Sequence, residues 1–174
     1  MQYLYRLCLF FLIPMLILSC STEGGKQAAQ PFSDCPYGSP KAIFSAELPG
    51  VEKHQFELSA QQAREKVQFG EGPVLELIQS GCEKPRQEFQ FSLPVSTSGF
   101  TDKDWLDLSL ELFAMMGNLH ESLQPFLLWR SALLPRVDEM KLGLPLELEP
   151  GFFVRIDKVS QSDSGLLILT LYQE

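Results

Sequence analysis

Two histidines, four cysteines and twenty-two carboxylates are the residues with which this 174-residue chain could do chemistry. His54 alternates in phase with Phe56 and Leu58, a pattern that places it facing or bordering a core. His120 follows Leu119 and stands four residues after Met116, which places it at the edge of an apolar helical stripe. Neither lies in a His-x-x-x-His spacing, and His120 and Glu121 point apart on a helix, so the pattern supplies no metal ligand set. No Gly-x-Ser-x-Gly occurs, and the Ser-Gly pairs at 80–81, 98–99 and 164–165 are ordinary turn dipeptides. Gly70-Glu71-Gly72-Pro73 lacks the lysine and glycine spacing of a phosphate loop. Asp102-Lys103-Asp104 has the oxygens for a cation but reads first as a solvated helix start. No catalytic residue, metal or cofactor is expected.

A different chemistry, that of recognition, is open to the cluster Phe126, Leu127, Leu128 and Trp129 beside Arg130. Such a cluster is either the core face of a helix, the commoner case, or an exposed anchor for a partner. Phe126, Trp129 and Arg130 are therefore the candidate partner contacts.

At the N-terminus an apolar run, residues 7–18, leads into Ile17-Leu18-Ser19-Cys20. The run is too short to cross a bilayer, which needs about 20 apolar residues. Arg6 supplies a positive charge ahead of it, as in a secretory signal. The arrangement resembles the lipobox of a bacterial lipoprotein signal peptide. That resemblance implies cleavage of residues 1–19, with Cys20 becoming a lipidated N-terminus. Each buried methylene is worth about 0.8 kcal/mol, so several acyl chains would hold the protein on a membrane. Ser21, rather than Asp, follows the cysteine. In lipoproteins of enteric-type bacteria this implies sorting to the outer membrane, facing the periplasm.

If Cys8 leaves with the signal and Cys20 carries lipid, Cys35 and Cys82 remain as a pair in an exported protein, where disulfides persist. A bridge between them would contribute about 4 kcal/mol in the chain-entropy account. A redox or metal site is the alternative, but Cys-x-x-Cys and a nearby histidine are both missing.

The formal net charge of −8, with no basic run, excludes the phosphate neutralisation that nucleic-acid binding requires. Residues 20–33 read as the lipidated cysteine and a polar tether, and residues 34–174 as one domain. Extended, the tether spans roughly 40 Å.

Within the domain, residues 41–48 alternate apolar and polar and predict a first strand, closed by Pro49-Gly50. Further strands are predicted around His54–Phe56–Leu58, Val67–Phe69, residues 74–79 and Phe89–Phe91–Leu93. The period then changes. Thr101-Asp102-Lys103-Asp104 resembles a capping box, and Trp105, Leu108, Leu112, Met115 or Met116, Leu119 and Leu123 follow at helical spacing. Gly117-Asn118 breaks this helix, and a second one covers residues 126–134, ending before Pro135. Strands return at 144–148, 152–159 and 166–172, the last two as a hairpin. Residues 166–171 are apolar on both faces, which marks a central strand. The expected fold is α+β: an antiparallel sheet, a meander plus a C-terminal hairpin, against one or two central helices. A half-open barrel is the alternative.

Three functions remain. The first is a non-catalytic binding module, membrane-anchored through Cys20, with an envelope protein or the cell wall as partner. Its narrower version is a lysozyme-type inhibitor or immunity lipoprotein, since an acidic surface attracts a cationic enzyme. The second is a carrier of an apolar ligand between helices and sheet. The last is a hydrolase using His54 or His120.

Overall fold

A computed structural model of the chain describes residue 32 and residues 34–59, 61–160 and 163–174. The alternating segments become seven antiparallel strands: β1 (Val51–Leu58), β2 (Gln62–Phe69), β3 (Val74–Ser80), β4 (Arg86–Leu93), β5 (Pro145–Glu149), β6 (Phe152–Ser160) and β7 (Gly165–Gln173). Their spatial order is β1-β2-β3-β4-β7-β6-β5, an open sheet with two edges, and the fold is α+β rather than a barrel. The first four strands form a meander. After β4 the chain crosses one face as helices α1 (Asp102–Gly117) and α2 (Pro125–Leu133). It returns at the far edge as β5 and fills inward to β7.

Strand alternation sends one set of side chains under the helices. Val67, Leu75, Phe91 and Leu167 stand in one row across four strands. Leu77, Phe89, Leu169 and Ile156 form the next row. All eight are buried. Above them Phe44, Phe113 and Phe126 make stacked ring contacts, and Phe113 and Phe126 meet Phe89 of the sheet edge-on, filling the space between sheet and helices. Burying each such ring is worth about 1.5–3 kcal/mol.

The capping box at the start of α1 is present. The Thr101 side chain accepts from the Asp104 N–H, and the Asp104 carboxylate accepts from the Thr101 N–H at 2.7 Å. The buried stripe of α1 is centred on Trp105, Ser109, Leu112, Phe113 and Met116; Leu108 lies at its margin. The helix ends at Gly117, where an added Cβ would lie 2.5 Å from Leu127 Cγ. Glycine there lets α2 approach. Past α2 the chain does not stop at Pro135 but continues as a 3₁₀ segment, Leu134–Glu139. Proline is tolerated there because the N–H it lacks belongs to the first turn.

Residues 41–48 are not a strand. Only Phe44 of this segment is buried, and the Leu48 N–H closes a turn on Ser45 O. Side chains satisfy its backbone instead of a ladder. Glu65 accepts from the Ile43 and Phe44 N–H groups at 2.9 and 2.8 Å, and Gln79 Nε2 donates to Lys41 O at 2.8 Å. Alternation alone does not distinguish a strand from a strap held this way.

Candidate functional site

Cys20 and the rest of the signal and tether through residue 31 lie outside the described residues. Cys35 and Cys82 form a disulfide, with Cα atoms 5.0 Å apart. It staples the start of the domain to the turn between β3 and β4.

His54 projects from β1 onto the covered face, and its Nε2 lies 2.8 Å from Glu65 Oε1. Glu65 is fully buried on β2, in phase with Val67 and Phe69. A carboxylate only accepts hydrogen bonds, so the imidazole Nε2 carries the hydrogen. Glu65 thus takes three donors and buckles the strap of residues 41–48 onto the sheet. Strand alternation by itself passes over Glu65; its signal in the sequence is a glutamate standing in the apolar phase of a strand. His120 is not on the long helix, which ends before it. It begins a 3₁₀ turn, Glu121–Leu123, where its Nδ1 accepts from the Ser122 N–H at 3.2 Å. Both histidines are engaged with neighbouring protein groups. Among the described residues no cluster of three or more His, Cys, Asp or Glu is placed to hold a metal, and no helix is long and apolar enough to cross a membrane.

The recognition cluster divides. Phe126 is 3% exposed and belongs to the core, so it is withdrawn from any contact surface. Leu128 is 69% exposed. Trp129 sits between: one side of its indole packs on Phe89, Phe113 and Phe126, with centroids 5.4–6.4 Å away. The residue also lines a groove of about 570 Å³ with Ala132, Leu148, Pro150 and Phe152, among others. Exposed Glu149 and Glu174 complete the lining, and neither carries an ion pair among the described residues. Arg130 does not line this groove; its Nε is buried without a hydrogen-bond partner. The β5–β6 turn that forms one wall is held by Glu147 Oε1, which accepts from the Gly151 N–H at 2.9 Å. Gln173 N–H donates to Pro85 O. This bond places the groove at the same end of the sheet as the disulfide-bearing turn.

A groove lined by an indole and two glutamates suits one kind of group above others. A guanidinium or ammonium gains about 0.5–2 kcal/mol from the ring and ion pairing from the acids.

Among the described residues the other face of the sheet carries no helix. Its rows are polar, for example Gln55, Lys66, Glu76 and Gln90, and they shape a depression of about 440 Å³. Glu88 lies on this face. Burial opposes its ionisation, but hydrogen bonds from Gln90 and Arg86 outweigh that and hold its carboxyl below the usual value. Part of the charge is paired within the face itself, as in Arg64–Glu76 and Arg155–Asp157, whereas Lys53, Lys66 and Glu57 carry no ion pair among the described residues.

Compared with protein-family models, curated proteins and solved structures, the chain matches none.

Proposed function

We propose that the protein is a non-catalytic binding module of a bacterial envelope. In this reading it is anchored by lipid on Cys20 and seats a cationic side chain of an envelope protein in the Trp129 groove. The observation that carries the reading is the groove itself: a half-buried indole packed on the aromatic core, with Glu149 and Glu174 in the same lining and without an ion pair among the described residues. Buried aromatic anchors rimmed by polar groups are where binding energy concentrates. The overall charge of −8 speeds encounter with a basic partner. The filled aromatic core speaks against a carrier, and the structural engagement of His54 and His120 against a hydrolase.

The test places a photo-crosslinking residue at Ala132, in the groove wall, in the lipidated chain on its native membrane. A basic protein should be captured. Capture should fall at least tenfold when Glu149 and Glu174 are both changed to Lys, or when Trp129 is changed to Ala. Capture that ignores all three changes would remove the groove as the binding site. A c-type lysozyme, added as a defined cationic probe, tests the narrower inhibitor reading through inhibition of its activity.

A further inference from the structure

The two edges of the sheet are built differently. β5 is five residues long and begins with Pro145, and Arg136 Nη1 donates to Glu147 O. Short length, proline and a covering cation are the usual protections of an edge strand. β1 has eight residues and no proline. Its only irregularity, between Val51 and Lys53, is confined to one end. Among the described residues no loop backbone bonds to residues 52–58.

The direction of its free backbone groups follows from one hydrogen bond. Ser59 N–H donates to Gln62 O at 2.9 Å across the β1–β2 turn. Inward-bonded and outward residues alternate along an antiparallel ladder. Glu57, Gln55 and Lys53 therefore direct their N–H and C=O groups to β2, and Phe56 and His54 direct theirs outward. An antiparallel partner strand must set its own outward residues against these. For a second copy of β1, that condition allows only registers in which paired residue numbers have an even sum.

Side-chain charge chooses among them. Lys53, Gln55 and Glu57 project on the open face of the sheet. Centring the pair on Lys53 or on Glu57 sets like charges opposite each other, and centring it on His54 or Phe56 sets Gln55 against Lys53 or Glu57 and makes no opposite-charge pair on this face. Centring it on Gln55 sets Lys53 of each copy opposite Glu57 of the other, twice by symmetry. Gln55 then faces Gln55 in a non-hydrogen-bonded pair, and the His54 and Phe56 backbones exchange the hydrogen bonds. Arg64 lies beside Glu57 within the chain but its guanidinium is paired with Glu76, which leaves Glu57 available. From this complementarity we infer that β1 pairs with β1 of a second copy about a two-fold axis through Gln55. The two sheets would then join edge to edge, with the polar depression continuous across the axis. This interface does not involve the Trp129 groove.

Geometry supplies a register-specific test. Opposed residues in a non-hydrogen-bonded pair have Cα atoms about 4.5 Å apart, within disulfide range. Residue 53 of one copy is opposite residue 57 of the other, so the two copies of residue 53 lie roughly 13 Å apart. In the full chain on its native membrane, treated with a mild thiol oxidant, Gln55→Cys should give a covalent dimer on a non-reducing gel. Lys53→Cys or Glu57→Cys alone should give at least tenfold less. Co-expressed, these two should crosslink to each other. The proposal is overturned if Gln55→Cys stays monomeric, or if all three variants crosslink equally, which would mean random collision. A second measurement needs no substitution. In the purified, detergent-solubilised chain, amide exchange at His54 and Phe56 should slow with rising protein concentration. Exchange independent of concentration would also overturn it.

Discussion

Replacing Glu65 with Gln should unfasten the strap while leaving the shape of the side chain almost unchanged. The carboxylate accepts three donors: Ile43 N–H on Oε2, and Phe44 N–H and His54 Nε2 on Oε1, at 2.8–2.9 Å. Glutamine keeps one acceptor oxygen. With that oxygen in the Oε1 position it retains two partners, and its NH₂ then faces the Ile43 N–H, donor against donor. A buried donor left without an acceptor costs about 1–3 kcal/mol. The two surviving bonds lose their charge assistance, at about 1 kcal/mol each on the same scale. The sum is about 3–5 kcal/mol, against a total stability of about 5–15 kcal/mol for a domain. Urea denaturation should show this loss. Amide exchange at Ile43 and Phe44 should accelerate by about 100-fold or more, since each 1.4 kcal/mol is a factor of ten. A loss under about 1 kcal/mol, with unchanged exchange at these two amides, would refute the view of Glu65 as the buckle.

Two further predictions concern the region around the start of α1. An added Cβ at Gly165 would lie 2.5 Å from Thr97 Cγ2 and 2.8 Å from Trp105 Cη2. Gly165→Ala should therefore cost about 1–3 kcal/mol by overpacking and shift the Trp105 emission. Gly99→Ala, where space is open, is the control, and equal effects would refute the packing argument. Asp104 is held below the ordinary aspartate value because the Thr101 hydroxyl and N–H donate to it. Its contribution is thus complete above the ordinary value and fades as pH falls through the lower folded one. Melting temperatures across that acid range should fall less steeply in Asp104→Asn, and parallel curves for the two proteins would refute the assignment.

Much of the fold was legible because its determinants are local. Alternation with a turn residue at each end specifies a strand whatever lies around it, as in Phe89–Phe91–Leu93 stopped by Pro94. The capping box at Thr101 is likewise written within four residues, and the doubly apolar run at 166–171 announced a strand with neighbours on both sides. The strap at 41–48 was misread because its backbone partners, Glu65 and Gln79, lie 21–38 residues away. Periodicity records which side chains alternate, not which groups satisfy the backbone between them.

The candidate site divides along the same line. Residue types alone give an acidic chain without a basic run and group Phe126, Trp129 and Arg130 as the recognition cluster. Residues at i, i+3 and i+4 share one helix face, so periodicity groups the three, and only tertiary packing separates them. The core took Phe126, Arg130 turned from the groove, and Trp129 was left between core and solvent. Glu149 and Glu174 join it only because β5 and β7 end beside α2. The chain's pattern determines the strands and helices and the acidic charge. The topology that brings distant termini of those elements together determines where that charge meets an aromatic side chain.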